Sequence, residues 1–168
     1  MKAAVVTDQG VQYTDAPKPS PKANEILIKV KAASLNRADL AVASGNRHGT
    51  VGGPGTIVGL ECAGEVEAVG SEVAGIKPGD RVMGSAPAAH AEYAATDSGR
   101  VHRIPANNMT FAQAACFPVA LQTMHNAIEV DPLDASATTV EGDTSPDAIA
   151  YATMFVAIRS LVHPLGSR

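Results

Sequence analysis

Gly59-Leu60-Glu61-Cys62-Ala63-Gly64-Glu65-Val66 runs on to Val69-Gly70, and Lys77-Pro78-Gly79-Asp80-Arg81-Val82-Met83 follows shortly after. Short apolar runs are cut at intervals by glycine and proline, the pattern of strands joined by tight turns. Strand is therefore predicted over 57–70, then a turn at Gly79-Asp80 and a further strand from Arg81. Toward the N-terminus, residues 2–6 and 11–15 read as a hairpin around Gln9-Gly10, and Pro17, Pro19 and Pro21 punctuate a loop. Residues 25–31 alternate, with Ile26, Ile28 and Val30 on one face and Glu25, Leu27, Lys29 and Lys31 on the other. A short helix or turn is expected from Arg37 to Ala43, stopped at Gly45, before a Gly-rich loop over 46–55. Strands are expected again at 90–95 and 101–104. Thr110 with Gln113 three residues on makes a capping box for one helix, and a second helix is expected from Pro118 to Ile128. Many short strands with Gly/Pro turns imply a barrel or sandwich.

Composition narrows the function classes. The chain has 168 residues, 45% hydrophobic, with 4% aromatics and no Trp, so Val, Ile, Leu and Ala must build the core. A net charge of −4 without a Lys/Arg cluster points to neither nucleic acid nor an anionic membrane. No segment reaches about 18 consecutive apolar residues, and the Met1–Val6 start is too short for a signal peptide. The expectation is a cytoplasmic, reduced protein. Cys62 and Cys116 lie far apart in apolar surroundings and read as buried free thiols, with a disulfide left open.

The set formed by Met1-Lys2-Ala3, the strand at 25–31, Ser34-Leu35-Asn36-Arg37-Ala38-Asp39, Pro54-Gly55, Gly59-Leu60-Glu61, Gly64, Val69-Gly70 and Pro78-Gly79-Asp80-Arg81-Val82 resembles the N-terminal part of the medium-chain dehydrogenase/reductase family. The resemblance is closest to its zinc-free quinone oxidoreductase branch and covers about residues 1–130. It implies a mainly β fold, a GroES-like barrel with short helices, to which this chain adds a C-terminal helix. In the family such a barrel is joined to a Rossmann domain, with cofactor and substrate in the cleft between them. Here no G-x-G-x-x-G occurs over 129–168, so that domain is expected to be lacking. The Gly49–Gly55 stretch has neither that spacing nor a Walker lysine, and reads as a barrel loop.

The resemblance also supplies the candidate site. The zinc branch carries ligands where this chain has Asn36 and Leu60, and near Val119 when aligned on Thr123. An amide and two aliphatics do not make a catalytic zinc site, so no metal is expected. Asn36 is the polar group carried over to the nicotinamide and the reducible carbonyl, unless it merely caps a loop. A tyrosine of the quinone reductases is replaced by Ala41. Thr123 resembles the threonine lining the nicotinamide pocket, or it bonds back to an i−4 carbonyl. Asn36 and Thr123 are thus the catalytic and cofactor-binding candidates. A pocket is expected between the Asn36 loop, Glu61 and Thr123. Glu61 itself reads as a partner for an arginine such as Arg81, or as an acid or base. His48, His90, His102, His125 and His163 form no triad spacing with a nucleophile.

Residues 131–145 read as a polar linker and 146–168 as a C-terminal helix and tail. Ser145-Pro146 starts that helix, and Tyr151, Phe155, Ile158 and Val162 form an apolar stripe along it. The stripe is expected to cover barrel surface or to pair two copies as a homodimer. A truncation, frameshift or recombination junction near residue 129 would explain the change of character. Two function classes follow. One is the substrate-side domain of a zinc-independent oxidoreductase that reduces a quinone or enone, with NADPH as the parent family's cofactor. The other is a non-enzymatic module for ligand binding or association.

Overall fold

The structure is a computed structural model that describes residues 1–48, 51–105 and 109–129, the side chains of His48 and of 125–129 excepted. Strands β1 (Lys2–Thr7) and β2 (Gly10–Asp15) pair antiparallel as the expected hairpin, closed where Thr7 meets Gly10. Gly10 takes φ +93°, a conformation that costs glycine little. The main sheet is antiparallel, in the order β8-β3-β6-β7-β9. Its strands are β3 (Glu25–Ala33), β6 (Glu61–Val69), β7 (Arg81–Ser85), β8 (Tyr93–Asp97) and β9 (Val101–Arg103). The β3–β6 register slips between Leu27 and Ile28 and again between Val30 and Ala32. Such irregularities bend a strand and increase its twist, and the sheet curls as a half-barrel. Bridges Ala3↔Ala91 and Val5↔Ile57 tie the hairpin to this body. The expected mainly β, GroES-like architecture is what the chain adopts.

Helix α1 (Arg37–Ala43) falls where expected, with Gly45 at φ +82° just beyond it. Helix α2 (Phe111–Ala115) has the expected capping box: Thr110 Oγ1 accepts from the Gln113 N–H, and Gln113 Oε1 accepts from the Thr110 N–H at 2.9 Å. Helix α3 spans Pro118–Glu129. Both faces of the sheet are covered. Ile26, Ile28, Cys62, Val66 and Val82 form one cluster, while Ala63 and Met83 pack on the other side with Ala114 and Ala115 of α2. A third cluster joins Val6 of the hairpin, Val42 of α1 and Val58. The chain divides into two compact units, Met1–Ala120 and Leu121–Arg168. Of the second, the described part is the helical stretch of α3 to Glu129.

Several expectations are corrected. Leu27, on the strand face it shares with Glu25 and Lys29, is nevertheless buried, flanked across the ladders by Ala68 and Ala95. The strand expected from 57 begins at Glu61, because Gly59 sits at φ +112°, outside any strand conformation. Likewise β8 begins at Tyr93, three residues later than the strand expected over 90–95. The 46–55 loop contains a small ladder, β4 (Arg47–His48) with β5 (Val51–Gly52). Cys62 is a buried free thiol as expected, but Cys116 is exposed. The linker and C-terminal helix expected over 131–168 lie outside the described residues. Among the described residues no helix is long and apolar enough to cross a membrane.

Candidate functional site

Three segments distant in sequence meet at the first residue of β6. Strand β3 ends at Ala33 beside Cys62, so the Ser34-Leu35-Asn36 turn lies over the start of β6. There Glu61 is 3% exposed, and each of its carboxylate oxygens is bonded. Oε1 accepts from the Asn36 amide Nδ2 at 2.9 Å and from the Ser34 hydroxyl. Oε2 accepts from the Val119 backbone N–H at 2.7 Å. Val119 follows Pro118 in the first turn of α3, where N–H groups have no partner within the helix. A carboxylate from a strand thus satisfies the start of a helix and sits at the positive end of its dipole.

The expected Glu61–Arg81 pair does not form. Arg81 instead donates to the Met109 carbonyl at 2.7 Å and lies over the Phe111 ring, 4.6 Å from its centroid. Register explains this: Arg81 stands opposite Glu65, whereas Glu61 stands opposite Ser85. Among the described residues no ion pair includes Glu61.

Asn36 is the N-cap of α1, in extended conformation at φ −111°, ψ 154°. Asp39 completes a capping box, its Oδ2 accepting from the Asn36 N–H at 2.7 Å. The Asn36 side chain is more than a cap, because its Nδ2 reaches both Glu61 and, at the longer distance of 3.3 Å, Ser34 Oγ. Asp39 is 4% exposed and its Oδ1 has no hydrogen-bond partner among the described residues, an uncommon state for a buried carboxylate oxygen. Leu35 and Leu40, 86% and 68% exposed, set large apolar side chains on the surface either side of Asn36 in the chain.

His90 has no triad spacing in the sequence, yet it joins this group. Its Nε2 donates to the Ser34 carbonyl at 2.9 Å, so Nε2 carries the proton. Gly59 makes room for it: a Cβ there would lie 2.5 Å from the His90 backbone nitrogen and 2.8 Å from its ring Cδ2. His90 holds the Ser34 carbonyl and not its hydroxyl, which turns to Glu61. The arrangement therefore lacks the imidazole-to-hydroxyl contact of a serine–histidine pair. The neighbouring Cys62 is no nucleophile either: burial, with Glu61 adding to it, pushes its thiol up to about 12.

The structure thus brings Asn36 and Glu61 together and adds Ser34, His90 and the Val119 N–H, to none of which the sequence gave a part beside Glu61. Thr123 is exposed on α3, within the unit that begins at Leu121. A hollow of about 450 Å³ is lined by Met109, Gln113, Cys116 and Phe117. Among the described residues no three His, Cys, Asp or Glu side chains are grouped as metal ligands would be.

Residues 22–124 match the family model of the alcohol dehydrogenase GroES-like domain. The chain is 36% identical over 121 residues to a quinone oxidoreductase of Sus scrofa, covering 68% of this chain and 36% of that one. The crystal structure of the human synaptic vesicle membrane protein VAT-1 homolog-like protein superposes with a TM-score of 0.68 at 37% identity. That match covers 75% of this chain and 42% of the other. A mycobacterial structure complexed with NADPH superposes with a TM-score of 0.67 at 31% identity, over 79% of this chain and 42% of that chain. The chain spans well under half the length of these relatives.

Proposed function

The chain belongs to the alcohol dehydrogenase GroES-like domain family of the medium-chain dehydrogenase/reductases, and from that premise we propose that it is the substrate-side domain of a zinc-independent, NADPH-dependent reductase of quinones or enones. The observation that carries this reading is the Asn36 amide held on Glu61 where a zinc enzyme of the family would place a ligand. Of the three ligand positions, Asn36 and Val119 meet on Glu61 and Leu60 is its chain neighbour, yet together they offer an amide and two alkyl groups. That set is wrong for zinc and right for hydrogen-bonding a carbonyl oxygen.

NADPH, when bound, supplies a hydride to the carbonyl compound. At its nicotinamide end Asn36 fits in that one amide N–H remains beside the one held by Glu61, while Asp39 Oδ1 is enclosed and out of a ligand's reach. Asn36 is the residue that would face that ring. The Gly49–Gly55 stretch lacks the spacing that cradles a pyrophosphate. Asn36 would orient the substrate by donating to its carbonyl oxygen, and that bond strengthens as negative charge develops there. Exposed Leu35 and Leu40 suit the apolar rings of quinones.

Titrating the purified chain with NADPH and assaying quinone reduction tests the reading. Saturable binding and turnover, both weakened in Asn36→Ala, are expected; neither binding nor turnover would refute it. The second reading, a non-enzymatic association module, draws on the exposed Leu35, Leu40 and Phe117 side chains. Silence toward NADPH, together with concentration-dependent self-association, would favour it.

A further inference from the structure

We propose that Glu61 is the positioning residue of this site: it fixes the Asn36 amide so that one N–H is spent on the carboxylate and the other is left for the substrate carbonyl. The inference rests on the reading of Asn36 given above. Glu61 is held at both ends, Oε2 by the Val119 N–H at 2.7 Å and Oε1 by Ser34 and Asn36, so its carboxylate plane cannot swing. At 3% exposure it meets little competition from water. A flipped Asn36 would set its Oδ1 against Glu61 Oε1, acceptor against acceptor, so the carboxylate dictates which end of the amide faces it. Because the Ser34 hydroxyl is itself bonded to Glu61 Oε1, the 2.9 Å contact to Glu61 and the 3.3 Å contact to Ser34 Oγ lie on one side of the amide and share one N–H, and the second N–H is the one a carbonyl oxygen can meet. Accepting from one N–H, the carboxylate also polarises the amide and makes the remaining N–H a better donor.

The test uses the full chain, with Glu61→Gln and the exchange pair Asn36→Asp/Glu61→Gln. In the native protein the Asn36 side-chain NH2 should exchange with solvent about tenfold more slowly than that of exposed Asn46, the signature of a bonded amide. Equal rates would overturn the proposal. A glutamine at 61 presents a donor to Val119 N–H or to Asn36, so one contact is lost. The exchange pair restores donor to acceptor and should regain the unfolding midpoint lost in Glu61→Gln. A pair no better folded than the single variant would overturn it. With NADPH and 2-methyl-1,4-naphthoquinone, at a temperature where Glu61→Gln is folded, kcat should fall about tenfold or more while KM for NADPH stays within about twofold. An unchanged kcat beside a lowered midpoint would mean that Glu61 only caps α3, and the proposal would fail. Absence of turnover in the native chain would sink the proposed function, while the amide exchange still decides the clamp.

Discussion

Glu61 Oε2 accepts the Val119 backbone N–H at 2.7 Å across 58 residues of chain. One carboxylate thereby joins the first residue of β6 to the first turn of α3, while its other oxygen holds the turn that leads into α1. The candidate site and the packing of these segments depend on the same side chain. Stability and site geometry should therefore change together when it is altered.

Replacing Glu61 by alanine should destabilise the chain by about 2–4 kcal/mol, because buried donors at Asn36, Ser34 and Val119 lose their acceptor. Urea unfolding measures this. Glu65→Ala, which breaks only a 3.3 Å pair with Lys31 between half-exposed side chains, should cost about 0.5 kcal/mol or less. Equal losses for the two variants would contradict the burial argument.

Gly64→Ala and Gly79→Ala should differ in size and in cause. At Gly64 a Cβ would collide with the Lys29 backbone carbonyl and come within 2.9 Å of Ile28 Cγ2, so β3 and β6 must separate, at about 2–4 kcal/mol. At Gly79 there is open space and only φ +88° opposes alanine, at about 1–2 kcal/mol. Calorimetric midpoints of the two variants give the order.

In the folded chain a thiol reagent near pH 8 should label Cys116 at once and Cys62 only after denaturant is added. Burial raises the Cys62 thiol from 9.0 to about 12, so it stays protonated in the fold but ionises in the unfolded chain. Its contribution to stability is present below about pH 9 and is lost as the pH rises from there toward 12. Rapid reaction of both thiols in native buffer would contradict this.

Asp80 is held below the ordinary carboxylate range, first by its hydrogen bond with Arg103 at 2.9 Å and then by the Lys77 N–H at 3.0 Å. A depressed carboxyl stabilises the fold above its unfolded value, and the gain disappears as the pH falls through the folded one. Asp80→Asn should therefore lower the thermal midpoint at neutral pH, and the two proteins should converge in strong acid. A gap that persists undiminished at the acid limit would show that this ion pair is not its source.

Zinc should be present at far less than one equivalent in protein purified without added metal, and added zinc should leave the thermal midpoint unchanged. Emission spectroscopy with a melting curve checks both. A stoichiometric signal whose removal by chelator unfolds the chain would overturn the reading of Asn36, Leu60 and Val119.

What the sequence by itself determined is what short-range sterics and local hydrogen bonds decide. Thr110 and Gln113 cap α2 across three residues, Gly10 closes a hairpin between adjacent strands, and Gly45 lies just beyond α1. Each works through atoms a few bonds away, and so could be located from its own neighbours. The motif glycines were legible as a family pattern, but their reason is spatial: Gly59 leaves room for His90 and Gly64 for the Lys29 carbonyl. Only the tertiary structure gave Glu61 its partners, 25, 27 and 58 residues away, and denied it Arg81. Which strand ends abut is set by ladder register and its slips, and a shift of one residue turns every side chain to the other face. For the same reason the burial of Leu27 and the exposure of Cys116 could not be read from residue type, since each depends on what a distant segment lays across it.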